Sequence, residues 1–171
     1  MRGGLILVVV AACRLGFDPI EPDPAPGTVA DALVPDGLAP DAAACDPVAC
    51  GASGGTCESA TCVIARTGER AVECPAGMPC RIECTGTERP CRDGASCGGA
   101  TSCEIRCIGY RACQDGASCG TAPVCTVTCD GEEACEGGID VDPATSCTSH
   151  CCGIEACAGG TGTCARDAVC S

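Results

Sequence analysis

Cysteine is the residue type in this sequence that offers the most chemistry. The chain has 171 residues, and 23 of them are cysteine. A thiolate is a strong ligand for zinc or copper(I), whereas paired cysteines form disulfides in oxidising compartments. A compact metal site and a disulfide framework place cysteines at different intervals, so the spacing along the chain discriminates between them.

The cysteines recur at a nearly constant interval, in four columns. The first column starts units of 22 or 23 residues at Cys57, Cys80, Cys103, Cys125, Cys147 and Cys170. The second column follows four residues later at Cys84, Cys107, Cys129 and Cys151, with Cys62 one residue late in the first unit. The third column holds Cys91, Cys113, Cys135 and Cys157, and the fourth holds Cys74, Cys97, Cys119 and Cys164. Such self-similarity at a fixed period indicates a repeat architecture.

Four positions depart from this pattern. Val141 stands in the fourth column of the fourth unit, where the other units have cysteine. Cys45, Cys50 and Cys152 lie outside the columns and are further disulfide candidates.

A short strand is predicted between the first two columns of each unit. The segments CRIEC from Cys80 and CEIRC from Cys103 alternate with a period of two, so both cysteines and the central Ile face one side. If the units stack in parallel and in register, Arg81 meets Glu104, Glu83 meets Arg106 and Thr126 meets Thr148. Equivalent cysteines then lie about 4.8 Å apart, a separation at which disulfides between successive turns can form, although the spacing does not fix the connectivity.

Glycines keep the same register as the cysteines. They recur two residues after the second column, at Gly86, Gly109, Gly131 and Gly153, and three residues after the third, at Gly94, Gly116, Gly138 and Gly160. Positions that are refilled by glycine in every unit predict corners with positive φ.

Two units carry the complete motif Cys-x-[Ile/Val]-x-Cys-x-Gly-x-x-Ala-Cys, at Cys103 to Cys113 and Cys125 to Cys135. This motif resembles secreted cysteine-rich repeat proteins whose turns coil as a small parallel β-helix. The resemblance covers residues 57 to 170, and it implies an architecture and export rather than an activity.

The predicted fold class is therefore all-β, small and disulfide-rich. We expect a five-turn parallel β-helix-like solenoid with turns of 22–23 residues over 57–171, preceded by an N-terminal cap over 45–56. Tandem small disulfide knots or stacked hairpins are the alternative.

The N-terminal segment MRGGLILVVVAAC resembles a bacterial lipoprotein signal with the lipobox Val10-Ala11-Ala12-Cys13. The resemblance implies that residues 1–12 are a signal peptide and that Cys13 is lipidated. Residues 13–44 then form a Pro/Asp/Ala-rich tether with too little apolar surface to fold. This predicts a cell-envelope protein that is anchored through Cys13 and faces the periplasm or the exterior, with the outer membrane of a Gram-negative bacterium as the expected membrane.

The charge of the chain excludes another class of protein. The formal net charge is -13, with ten Arg and no Lys against 23 carboxylates. Proteins that bind nucleic acids need clustered cations to neutralise phosphates, so no nucleic-acid partner is expected.

Metal binding is the alternative function. No Cys-x-x-Cys pair occurs, and cysteines four residues apart on a strand are about 13 Å apart, too far for one tetrahedral ion. We therefore expect no metal and no cofactor, with His150, Asp140 and Asp142 as weak candidates for ligands. An acidic patch could hold calcium but lacks EF-hand spacing; it comprises Asp130, Glu132, Glu133, Glu136, Asp140 and Asp142.

Catalytic groups are scarce in this sequence. It has one His, no Lys and no nucleophile motif, so we expect a protein that is not an enzyme. A polysaccharide-acting β-helix enzyme that uses carboxylates and Arg is a remote alternative. The predicted function is a structural, adhesive or binding role at the cell surface, with a protein or glycan ligand. Interaction residues are expected on the outward faces: Arg81, Glu83, Glu104, Arg106, Tyr110 and the acidic patch.

Overall fold

The computed structural model describes residues 44–143, 145–162 and 164–166. The predicted signal peptide, Cys13, almost all of the tether and Cys170 lie outside the described residues. Within these ranges the chain forms one helix and eleven strands: α1 (Pro47–Ala52), β1 (Thr56–Glu58), β2 (Thr61–Arg66), β3 (Val72–Glu73), β4 (Pro79–Thr85), β5 (Ala95–Ser96), β6 (Ser102–Ile108), β7 (Ala117–Ser118), β8 (Val124–Asp130), β9 (Ile139–Asp140), β10 (Ser146–Cys152) and β11 (Ala165–Arg166). The described part of the chain has no helix of the length and apolar character that crossing a membrane requires.

The strands form two sheets that share the same turns. One sheet has seven strands in the order β1-β2-β4-β6-β8-β10-β11, and the other has four in the order β3-β5-β7-β9. All neighbours are parallel except β1 and β2. The predicted small, disulfide-rich β-solenoid is confirmed, with four turns in the described residues that contribute one strand to each sheet, where five turns were expected.

The predicted register of the long strands is also confirmed. Arg81 lies opposite Glu104 and Glu83 opposite Arg106 in the pairing of β4 with β6. Thr126 lies opposite Thr148 in the pairing of β8 with β10. The register follows from the period of two, because a shift by one residue would turn every cysteine from the interior to solvent.

The interior consists mainly of cystine. Strands β4, β6, β8 and β10 each bury one central side chain between two cysteines, and Ile64 of β2 continues the same column: Ile64, Ile82, Ile105, Val127 and Ser149. Around this column lie the disulfides, whose cysteines are nearly all buried. The remaining buried apolar residues are mostly alanines, with Val63, Val72, Met78 and Ile139, so the core contains few large aliphatic side chains.

The disulfides close corners along the chain. Fourth-column cysteines bond to the next first column in Cys74–Cys80, Cys97–Cys103 and Cys119–Cys125. Second-column cysteines bond to the third in Cys84–Cys91, Cys107–Cys113, Cys129–Cys135 and Cys151–Cys157.

Disulfides between equivalent cysteines of successive turns, which the spacing left open, are therefore not the ones formed by the described residues. In-register side chains of parallel strands point the same way, and their Cβ atoms lie about 4.8 Å apart. A disulfide needs a Cβ separation of about 3.5–4.5 Å, which the corners supply.

The N-terminal end departs from the predicted columns. Cys57 lies on β1, which folds back antiparallel onto β2, and Cys62 takes the register of Cys80. The first turn of the solenoid therefore begins at Cys62 and not at Cys57, because residues 56–58 are used by this hairpin. The Cys45–Cys57 and Cys50–Cys62 bridges tie α1 and the segment before it to these two strands.

The C-terminal end shows the effect of the missing cysteine. Because Val141 stands where the fourth-column cysteine would be, Cys147 lacks the usual partner six residues before it. It bonds instead to Cys164, seventeen residues later.

Gly131 shows why the corners need glycine. The predicted corner glycines all have positive φ, and Gly131 has a φ of 141°. A Cβ at this position would lie 2.4 Å from the carbonyl oxygen of Gly109 in the preceding turn. The backbones of successive turns thus approach more closely here than any side chain allows.

We expect Gly131→Ala to lower the stability of the fold, with about 1–3 kcal/mol from backbone strain alone. Thermal unfolding with the disulfides intact measures the effect. Gly68→Ala is the matched control, since a Cβ at Gly68 meets nothing within 4 Å and its φ is not positive. Equal melting temperatures for the two variants would contradict the close approach of the turns.

Ser149 interrupts the aliphatic column. Its side chain is fully buried in register with Val127, and its Oγ has no hydrogen-bond partner among the described residues. We expect Ser149→Val to stabilise the protein by about 1–3 kcal/mol, because it removes an unsatisfied buried hydroxyl. Val127→Ser should lower the melting temperature, and a Ser149→Val protein that melts below the parent would contradict this account.

Candidate functional site

The outer face of the seven-stranded sheet carries the predicted charged residues. Arg81 contacts Glu58 and Glu83, each at 3.1 Å, and Arg106 reaches Glu83 at 3.8 Å. Glu104 lies opposite Arg81 in register but forms no ion pair within the described residues. Partly exposed pairs of this kind contribute little free energy, and on this face the cations and anions largely compensate each other.

Tyr110 lies at the surface in the turn after β6, with 39% of its side chain exposed. The guanidinium of Arg111 lies over its ring, 4.9 Å from the centroid. The same guanidinium donates a hydrogen bond to Glu133 of the next turn, and this bond raises the pKa of Arg111 above its ordinary value. The expected contact point is thus an aromatic residue covered on one face by a cation that already has an anionic partner.

The predicted acidic patch is divided in the structure. Glu133 pairs with Arg111, and Glu136 accepts a hydrogen bond of 2.9 Å from Gln114 Nε2. Asp130 ends β8 in the larger sheet, whereas Asp140 lies on β9 in the smaller one. The six acids therefore do not form one site.

Three groups of possible metal ligands have their ligand atoms within 4.8 Å of one another, and all consist of cysteine. Every cysteine in the described ranges is disulfide-bonded, so these sulfurs are not thiolates in this state. The weak candidates His150, Asp140 and Asp142 belong to none of the three groups. His150 is half-buried on β10, in the other sheet from Asp140.

A groove of about 440 Å³ runs along the outer side of the four-stranded sheet. Each turn contributes one outward residue at the end of its short strand, in the register Glu73, Ser96, Ser118 and Asp140. The groove is completed by the segment before each strand: Ala71, Asp93, Gly94, Asp115, Gly116, Gly137 and Gly138. Small residues at these positions leave room above the sheet.

The groove is strongly acidic. No basic residue of the described chain lines it. Four carboxylates do so, one from each turn: Glu73, Asp93, Asp115 and Asp140. Only Asp93 has an ion-pair partner within the described ranges, Arg92 at 3.4 Å. In-register turns are about 4.8 Å apart, so Asp93 and Asp115 present charge at neighbouring steps.

Two serine hydroxyls lie between the carboxylates. Ser96 Oγ accepts a hydrogen bond of 3.1 Å from the amide of Gly98, and Ser118 Oγ accepts one of 3.2 Å from the amide of Gly120. Each hydroxyl keeps its own proton for an outside acceptor. The groove therefore offers anionic acceptors along its length and neutral donors at its centre.

The comparisons with known proteins are negative. No family model matches the chain, and neither a curated protein nor a solved structure matches it. The case for a function therefore depends on the groove itself.

Sequence reasoning missed most of this groove. Of the four carboxylates in the groove, only Asp140 was predicted from the sequence as a site residue, and it was assigned to a different cluster. The available signal was the segment DGAS, which occurs at 93–96 and again at 115–118. Its Asp-Gly pair was interpreted as a corner, but the repeat also sets Asp and Ser on the same outward face in successive turns.

Proposed function

We propose that the protein is a non-catalytic, lipid-anchored module of the cell envelope that binds an extended cationic segment of a partner protein. The observation that carries this proposal is the groove on the four-stranded sheet. Its carboxylates come from four successive turns, and among the described residues only Asp93 has a cation, Arg92, as its ion-pair partner. Charge complementarity of this kind favours a partner with Arg or Lys side chains.

The shape of the groove supports an extended ligand. A row of carboxylates and hydroxyls that repeats about every 4.8 Å matches a chain lying along the row better than a compact molecule bound at one point. The floor is a hydrogen-bonded sheet whose turns are closed by disulfides, so the site is preorganised. Preorganisation reduces the entropy that binding must overcome.

The disulfides support a location outside the cytoplasm. Ten bridges are formed by the described residues, and bridges persist in oxidising compartments such as the periplasm or the cell surface. The lipobox before Cys13 provides the anchor in this proposal. An acidic tether between the anchor and residue 45 would hold the groove away from a membrane surface.

The intact mass of the native protein, purified from a bacterial membrane fraction, tests the anchor. We expect residues 1–12 to be absent, Cys13 to carry acyl groups, and the remaining cysteines to be oxidised. Cys13→Ala should lose the acyl mass and leave the membrane fraction. An unprocessed chain with free thiols would refute the anchor and the export together.

Binding of an extended Arg-Gly repeat peptide, followed by fluorescence anisotropy, tests the groove. We expect Asp93→Asn combined with Asp115→Asn to weaken binding about 2- to 30-fold, as expected from about 0.2–1 kcal/mol per exposed ion pair. Asn retains the turn preference of Asp before glycine, so the corners should persist.

The matched control is Glu132→Gln combined with Glu155→Gln, which removes the same charge from exposed residues outside the groove. Equal loss in both double variants would show that only net charge matters and would overturn the groove as the site. Preferential binding of a neutral glycan would overturn the cationic partner.

A further inference from the structure

Eight buried or half-buried cysteines form a continuous line of sulfur through the solenoid. We call it the sulfur row, and its members are Cys74, Cys80, Cys97, Cys103, Cys119, Cys125, Cys147 and Cys164. Four disulfides alternate along it with three non-bonded contacts between neighbouring bridges. These contacts join Sγ atoms at 3.9 Å for Cys74 and Cys103, 3.8 Å for Cys97 and Cys125, and 3.6 Å for Cys119 and Cys147.

The three contacts define a second pairing within the row. In the observed pairing Cys74, Cys97 and Cys119 each bond to the first-column cysteine six residues later. In the second pairing each of the three would bond to the cysteine that it already touches, 28 or 29 residues later. The change leaves Cys80 unpaired at one end of the row and Cys164 at the other.

We propose that the sulfur row is a thiol relay, in which a thiol created at one end moves through the core and emerges at the other. A thiolate exchanges with a disulfide by attacking one of its sulfur atoms, and the second sulfur leaves as a new thiolate. Each leaving sulfur in this row already touches a sulfur of the next bridge. The geometry therefore provides every attacking pair in order.

The sequence of steps is balanced in bonds and electrons. A dithiol reductant transfers two electrons to Cys147–Cys164 and becomes a disulfide itself. The Cys147 thiolate then attacks Cys119 and releases Cys125, which attacks Cys97 and releases Cys103, which attacks Cys74 and releases Cys80. One disulfide forms and one breaks in each exchange, so no further electrons are consumed.

The C-terminal end is the place where a reductant can enter. Cys164 is half-buried, whereas the other seven members of the row are buried. The sulfurs of Cys119, Cys147 and Cys164 all lie within 4.8 Å of one another, so opening the terminal bridge creates a thiol beside the next one. A thiolate is also better solvated at Cys164 than inside the core, which favours Cys164 as the end point when the starting thiol is at Cys74.

The full-length Cys80→Ser protein provides the sharpest test, because it leaves Cys74 without a partner and needs no reductant. We expect the free thiol to move from Cys74 to Cys164 over minutes to hours, the range of uncatalysed disulfide rearrangement. Samples are quenched in acid, unfolded, alkylated with a maleimide and mapped by mass spectrometry. The rate should rise with pH, since the thiolate is the attacking species.

A label that remains on Cys74 at every time and pH would overturn the relay. The matched control is Cys135→Ser, which frees Cys129 in the other column of bridges, outside the sulfur row. The label of this variant should stay on Cys129. A label that spreads over both columns of bridges would indicate general scrambling of the disulfides. That result would also overturn the relay. Rates that depend on protein concentration would assign the exchange to collisions between molecules and count against it.

If the Cys80→Ser protein does not fold, the unmodified protein provides a second test. After treatment with less than one equivalent of a dithiol, we expect thiols at Cys80 and Cys164. Thiols found only at Cys147 and Cys164 would show that the terminal bridge opens without passing its thiol on, and would refute the proposal.

Discussion

The disulfide that closes each corner is the constraint on which the rest of this structure depends. Six of the ten bridges span only six residues, so they fix the local path of the chain and do little to tie distant regions together. Each turn buries one central side chain between such bridges, too little apolar surface for an ordinary core. Cystine therefore takes the place that Leu and Phe have in other domains, and the fold requires an oxidising environment.

The repeat made the fold predictable, but it did not determine the pairing of the cysteines. The period of two within CRIEC and CEIRC fixes which side chains face inward, and parallel stacking then fixes Arg81 opposite Glu104. The choice between staples across turns and staples at corners depends on Cβ separation, which a column of cysteines does not reveal. Cys57 was misplaced for a related reason, since a hairpin of β1 with β2 preserves the spacing of cysteines while it reverses the chain.

Some corner conformations carried no sequence signal at all. The glycine corners were predicted because glycine is the residue that tolerates positive φ. Cys91, Cys113, Cys135 and Cys157 also have positive φ, between 50° and 56°, although cysteine has no preference for that region. Each of them is bonded to a second-column cysteine, so these are corners that a disulfide closes.

The groove and the sulfur row meet at the short strands. Glu73, Ser96 and Ser118 line the groove, and the residue after each is a member of the row: Cys74, Cys97 and Cys119. A strand of two residues makes too few hydrogen bonds to fix its own position, so the bridge that follows it attaches it to a long strand of the other sheet. Three of the four short strands, with the groove residues that they carry, are thus held in place by the same bonds that fill the core. The cystine interior therefore supports the outward row of Glu73, Ser96 and Ser118 directly, whereas the parallel register of the turns sets the steps between them.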